Sequence, residues 1–272
     1  MRSVPELGVI IPPDQPPERF LQTAVDAERA GLDEVWVWED CFAEAGVATA
    51  AAVLARTERV RVGIGLLPVP LRNAALTAME LATLARMFPD RLLPGIGHGV
   101  LDWMGQVDAR AASPTTLLQE YTEALGALLA GEEVSTQGRY VRLDRVRLRW
   151  PPAGRLPLLV GARGPRTLAL AGALGDGVII DDADLGTVVP AVAAVREARA
   201  AAGRADEPEI VVFASVPVGT GAEALATTVR ELGEAGAHRV AVVGTAPDGP
   251  PEGGEAIAGL VTELGRARQL LG

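Results

Sequence analysis

Short apolar runs rich in β-formers alternate, eight times over, with longer stretches whose apolar residues recur every three or four positions. This is the pattern of βα units, which build parallel sheets covered by helices. The strands expected from it are Leu7–Ile11, Glu34–Trp38, Val60–Leu66, Leu92–Ile96, Leu158–Gly161, Gly177–Asp181, Ile210–Val216 and Arg239–Val243. The helices between and after them are Pro17–Ala30, Ala45–Arg56, Asn73–Met87, Pro114–Leu129, Pro165–Leu174, Leu185–Ala202, Ala222–Ala235 and Gly254–Leu271. Helix punctuation agrees: Pro17 and Pro165 suit first-turn positions, Ser113-Pro114 reads as an N-cap, and Gly31 and Gly236 suit helix ends.

Eight units in 272 residues come to about 34 residues each, the size of a single closed (β/α)8 TIM barrel of the α/β class. One domain over 1–272 is the economical reading. An open doubly wound sheet competes, but no glycine-rich dinucleotide fingerprint follows the first strand. The regular alternation breaks once, after strand four. There the insertion Gly97–Pro157 carries one helix and an alternating segment, Arg139–Trp150, that reads as a hairpin or an extended arm.

Composition removes several kinds of chemistry. All 25 basic residues are arginine, so Schiff-base catalysis and the phosphate-loop lysine are absent. One cysteine (Cys41) and two histidines (His98, His238) cannot build a structural zinc site or an iron–sulfur cluster, and no metal is expected. A single cysteine calls for no oxidising compartment, and Met1–Pro17 is too short and interrupted for a signal peptide, so the expectation is a cytoplasmic protein. No apolar run reaches membrane-spanning length, and a net charge of -10 opposes nucleic-acid binding.

In a barrel of this kind, function belongs to the carboxyl ends of the strands and the loops that follow them. The loop Gly95-Ile-Gly-His-Gly-Val-Leu-Asp-Trp-Met joins three alternating glycines to His98 and Trp103, suiting close approach of a flat ligand. The turn Gly161-Ala-Arg-Gly-Pro leads directly into a helix, where free amides and Arg163 could hold a phosphate. Tight βα turns need glycine for structural reasons as well. Glu39, Asp40, Asp181 and Asp182 raise a paired-carboxylate hydrolase, which a 4% aromatic content makes a poor fit for stacking sugar rings. Cys41 beside Asp40 reads as inert, and His238, at the amino end of the last strand, reads as structural.

Taken in order, Gly31-Leu-Asp-Glu-Val-Trp-Val-Trp-Glu-Asp, Val62-Gly-Ile-Gly, Phe88-Pro-Asp-Arg-Leu-Leu-Pro-Gly-Ile-Gly-His-Gly, Gly164-Pro-Arg-Thr-Leu-Ala-Leu-Ala-Gly and Gly175-Asp-Gly resemble the bacterial luciferase-like monooxygenase superfamily. The resemblance runs from the first strand to about residue 182, and is nearest in character to the branch using the deazaflavin coenzyme F420. It implies a flavin or deazaflavin at the strand ends, F420 first and FMN as the alternative, with hydride transfer to or from a small organic substrate. Asp40 would then bond the cofactor ring. Gly65 and Leu66 match a bulge, often a non-prolyl cis peptide, that supports the ring, and Pro68 ends the same segment. His98 and Gly99 would touch the cofactor, with His98 the nearest proton donor and Trp103 close by. Arg163 and Gly164 would accept the phosphate, and Asp181 would meet the cofactor from strand six.

Three positions depart from the sugar-phosphate and alcohol dehydrogenases of that branch. Cys41 stands for a histidine, Val100 for a glutamate that handles protons, and Ala45 for a tryptophan. A site without that acid suits hydride transfer to an activated double bond better than alcohol oxidation. FMN-dependent oxygenation, a non-catalytic cofactor-binding protein, and a redox-free isomerase or lyase using Asp40 and Asp181 are the other readings. Family members often pair as dimers, and the alanines of Ala48–Ala55 serve a homodimer contact and a core equally well.

Overall fold

The computed structural model describes residues 4–246, 249–254 and 256–272. Eight parallel strands close into a barrel: β1 (Glu6–Ile11), β2 (Glu34–Val37), β3 (Arg61–Pro68), β4 (Leu92–Gly97), β7 (Leu159–Gly161), β8 (Gly177–Ile180), β9 (Glu209–Pro217) and β10 (Arg239–Thr245). They neighbour one another in chain order, and β10 pairs with β1 to seal the sheet. Around them lie α1 (Pro17–Arg29), α2 (Gly46–Arg56), α3 (Ala74–Met87), α5 (Pro114–Leu129), α6 (Pro165–Leu174), α7 (Leu185–Ala201), α8 (Ala222–Glu234) and α9 (Ala256–Leu271). Glu255, within the stretch expected as the last helix, and Met1–Ser3 lie outside the described residues.

The insertion after β4 holds α5, an antiparallel hairpin of β5 (Val134–Gln137) and β6 (Arg142–Val146), and a short helix α4 (Leu101–Gln106). The hairpin starts before Arg139, and α4, read as loop from sequence, is too short to show a helical period. Glu120 on α5 docks the hairpin by accepting from the backbone N–H groups of Arg139, Tyr140 and Val141. Gly31 and Gly236 take positive φ values of 85° and 109° just past α1 and α8, as helix-ending glycines do.

Strand periodicity sorts the core into two shells. Val9, Ile11, Val35 and Val37 face the helices, whereas Ile10, Trp36, Leu93, Leu159, Ile179, Val211, Phe213 and Val243 fill the barrel. Trp36 is the largest fully buried side chain. Its indole occupies the space a Cβ on Gly63 would need, at 2.2 Å, and stands edge-on to Phe213 at 5.1 Å between centroids. Below it the indole N–H donates to Glu34 at 2.8 Å. Arg239 pairs with Glu34 from β10 and with Glu209 at 2.9 Å. Burial pushes the Glu34 carboxyl pKa up, and Arg239 and the indole oppose that shift. The amino end of the barrel is thereby filled by a buried polar cluster. His238 belongs to this end, where its Nδ1 accepts from the Ile210 N–H at 3.0 Å, the structural role expected of it.

Tyr121 on α5 reaches α3, donating to Thr77 Oγ1 at 2.7 Å, and burial pushes its phenol pKa up to about 12. The folded protein thus keeps a proton that the unfolded chain releases near pH 10. The stabilisation is complete below that pH and is lost as pH rises through the folded value, at about 1.4 kcal/mol per pH unit. Urea midpoints at neutral pH and at about pH 11 should show this alkaline loss, and Tyr121→Phe should weaken it.

Candidate active site at the carboxyl end of the barrel

Every candidate site residue lies at the carboxyl end of β2, β3, β4, β7 or β8 or in the segment that follows it, and the structure separates them into three groups. Asp40 and His98 have polar groups left uncommitted. The Asp40 carboxylate follows β2, is partly buried, and makes no hydrogen bond or ion pair among the described residues. Burial pushes its pKa up. His98 follows β4, and its Nδ1 is buried with no hydrogen-bond partner among the described residues. Burial pushes the imidazole pKa down and so favours the neutral ring, while a hydrogen bond with the Pro114 backbone opposes that shift.

A second group builds a floor. Gly65–Leu66 is a cis peptide at the bulge where the β3–β4 register shifts between Ile64 and Leu67. The Leu66 side chain crosses the mouth: a Cβ on Gly97 would meet it at 2.6 Å and one on Gly161 at 2.4 Å. A Cβ on Gly65 would come within 2.4 Å of Phe213, and one on Gly95 within 2.5 Å of Ile179. The alternating glycines therefore make room first for the protein's own side chains, which a sequence reading assigns to a ligand because it cannot see the bulge turning Leu66 inward. Gly99 has φ 69°, and a Cβ there would lie 2.8 Å from Pro68. Trp103, on α4, is partly buried near the same face.

The third group is polar and paired. Arg163 Nε lies 2.8 and 2.7 Å from the two carboxylate oxygens of Asp181, so two residues nominated separately form one ion pair. Gly164 opens α6 with no atom within 4 Å of where a Cβ would stand, and its N–H reaches Thr167 Oγ1 at 3.2 Å. The remaining carboxylates of the hydrolase reading are engaged. Glu39 accepts from the Gly46 N–H at 2.8 Å and pairs with Arg72 at 3.4 Å, while Asp182 accepts from the Asp184 N–H and Thr187. Burial, with Glu39 and Asp40 adding to it, pushes the Cys41 thiol pKa up, in keeping with an inert cysteine.

Sequence reasoning missed Gln15 and Glu44, in the loops after β1 and β2. Gln15 Nε2 and Glu44 Oε1 are buried without partners among the described residues, and burial pushes the Glu44 pKa up. Only their place after strand ends could have flagged them, because burial inside a loop leaves no periodic trace. Unsatisfied buried polar atoms are scarce in folded proteins and concentrate where something else binds. At the amino end, a recess of about 270 Å³ lined by Glu6, Glu28, Asp33, Arg59 and Arg61 has the opposite character. There Glu28 accepts three backbone N–H groups, Asp33 pairs with Arg268, and Arg61 pairs with Glu6.

A closed parallel barrel with an uncommitted acid and imidazole at its carboxyl rim has the architecture of the (β/α)8 proteins that bind small molecules at that end. The luciferase-like monooxygenase family matches residues 4–262, and the chain belongs to it. Among curated relatives, a 5,10-methylenetetrahydromethanopterin reductase of Methanolobus tindarius is 31% identical over 64% of this chain and 53% of its own length. An F420-dependent glucose-6-phosphate dehydrogenase of Nakamurella multipartita is 32% identical over 60% of this chain and 52% of its own. The chain thus spans about half the length of these relatives. In fold, it superposes on an F420-dependent secondary alcohol dehydrogenase solved with an F420–acetone adduct, with TM-score 0.84 and 20% identity over 98% of this chain and all of that one. The Methanopyrus kandleri F420-dependent tetrahydromethanopterin reductase gives 0.79 and 19%, over 96% and 98% of the two chains.

Proposed function

We propose that this protein is an oxidoreductase that uses coenzyme F420 to transfer hydride to or from a small organic substrate. The observation that carries this reading is the pair of uncommitted groups, Asp40 and His98 Nδ1, after the two strands that flank β3, on a rim whose floor is already filled by Leu66 and Phe213. The F420 dependence of relatives found by sequence and by structure supports it.

The residues present fit such a cofactor: a free carboxylate, an orphaned imidazole nitrogen and an open helix-leading glycine. Asp40 would accept hydrogen bonds from the ring, and Leu66 would back it from beneath. Gly164 and the first turn of α6 would face the phosphate, with Arg163 moderated by Asp181. When bound, the cofactor supplies the hydride chemistry. The apolar floor excludes water below the ring. A neutral imidazole donates from one nitrogen and accepts at the other, so His98 can hold or pass a proton at Nδ1.

Titration of the purified protein with oxidised F420, followed by fluorescence, and with FMN, followed by absorbance, tests the reading. The expected result is saturable F420 binding at lower concentration than FMN. Tighter FMN binding would favour a flavin-dependent oxygenase, and binding of neither would remove the redox function.

A further inference from the structure

The barrel mouth is divided chemically along the order of its strands. β2, β3 and β4 are consecutive neighbours, and the loop after each raises large apolar side chains into solvent. Phe42 follows β2 and is 66% exposed, Leu71 follows β3 and is 37% exposed, and Val100 and Leu101 follow β4 at 47% and 42%. The next two strands, β7 and β8, are followed by Arg163, Asp181 and Asp182, all exposed and polar. One arc of the rim is therefore apolar and the adjoining arc is hydrophilic. Exposed apolar residues scattered singly need no explanation, but their recurrence on three successive loops at the functional end of a barrel points to a contact surface.

Charge sharpens the point. The one cation in the apolar arc, Arg72, is held by Glu39 at 3.4 Å and Glu80 at 3.0 Å. Asp40, at the base of the same arc, is an acid with no ion-pair partner among the described residues. Arg166, in the first turn of α6, and Arg110, between α4 and α5, make no ion pair among the described residues. An anionic substrate seated beside Phe42, Leu71 and Val100 would meet the uncompensated acid Asp40 and, in Arg72, a cation already held by two carboxylates, and burying its charge there would be unfavourable.

We infer that the substrate of this site is an uncharged, predominantly apolar molecule seated against Phe42, Leu71, Val100 and Leu101, and not a phosphorylated or carboxylated one. The inference rests on the oxidoreductase reading above and adds the substrate class to it. The polar arc of β7 and β8 is then left to the cofactor's hydrophilic tail, and the apolar arc to the substrate.

The test uses the protein loaded with oxidised F420, so that binding is read without turnover. Cyclohex-2-enone and glucose 6-phosphate are titrated separately and followed by calorimetry and ligand-observed NMR. The enone should bind saturably and the sugar phosphate should not. The double variant Phe42→Asp/Val100→Asp should weaken enone binding by about tenfold or more, the loss expected when apolar contact surface is replaced by charge. F420 affinity and the circular dichroism spectrum should be unchanged in that variant. Met79→Asp alters an apolar residue that is equally exposed but lies on α3, outside the mouth, and should leave enone binding as it was. Binding of the sugar phosphate in preference to the enone, or an enone affinity indifferent to the double substitution, would overturn the substrate class while leaving the cofactor reading intact. Failure of the wild-type protein to bind F420 would overturn both.

Discussion

Trp36→Ala should lower the free energy of unfolding by about 3–5 kcal/mol, the range for removing a large aromatic from a packed interior. The indole is wholly buried, and two neighbouring strands carry glycine where it lies: a Cβ on Gly63 would come within 2.2 Å of the ring, and one on Gly8 within 3.1 Å. Because these positions have no side chains that could move in, the vacated volume stays as a cavity. The truncation also strips Glu34 of its 2.8 Å indole donor inside a buried polar cluster. Leaving a buried acceptor unsatisfied adds about 1–3 kcal/mol in its own right. Trp36→Phe also loses the N–H but leaves a much smaller cavity, so the difference between the phenylalanine and alanine variants reports the cavity term. Chemical denaturation of the three proteins provides the measurement. A loss below about 1 kcal/mol for the alanine variant would mean that the barrel interior is not organised around this ring. The consequence reaches the site, because Trp36 packs edge-on against Phe213, and Phe213 lies directly under Gly65.

The barrel was legible in the chain because parallel strands buried on both faces leave dense apolar runs, and helices leave a different period between them. Strand ends were read to within about two residues, with the third strand running on to Pro68 because a bulge lets it keep pairing with β4 beyond Ile64. The rim was legible by topology alone: once the strands are placed, Asp40, His98, Arg163 and Asp181 must share one end. What each residue does there was not. The glycines at 95, 97 and 161 announce close approach, yet nothing in their spacing says that Leu66 and Ile179, and not a ligand, are what comes close. Nor does an arginine at 163 disclose that an aspartate eighteen residues later will hold it, because that pairing depends on the adjacency of β7 and β8. The buried, partnerless atoms of Gln15 and Glu44 are visible only in three dimensions.

Asp40→Ala should weaken F420 binding by roughly tenfold to a hundredfold, the equivalent of about 1.5–3 kcal/mol for a hydrogen bond to a charged group. The carboxylate makes no hydrogen bond or ion pair among the described residues, whereas Glu39, Asp181 and Asp182 are each held by named donors. Removing any of those three disturbs the protein's own hydrogen bonds first, but removing Asp40 takes away a group that the folded chain does not use. Stability should therefore change little and affinity a great deal, a combination that a structural role would not give. Asp40→Asn retains an acceptor oxygen without the charge and should fall between the two. The pH dependence supplies a further discriminator. Burial raises the Asp40 pKa, so the ionised form is lost on acidification sooner than for an ordinary aspartate. F420 affinity should accordingly fall as the pH drops through that raised value, and in Asp40→Ala this acid limb should disappear. Fluorescence titration of F420 across the acid range reads both effects together. If the alanine variant binds the cofactor as tightly as the wild-type protein and retains the acid limb, the ring is held elsewhere, and the uncommitted carboxylate at the end of β2 has some other use.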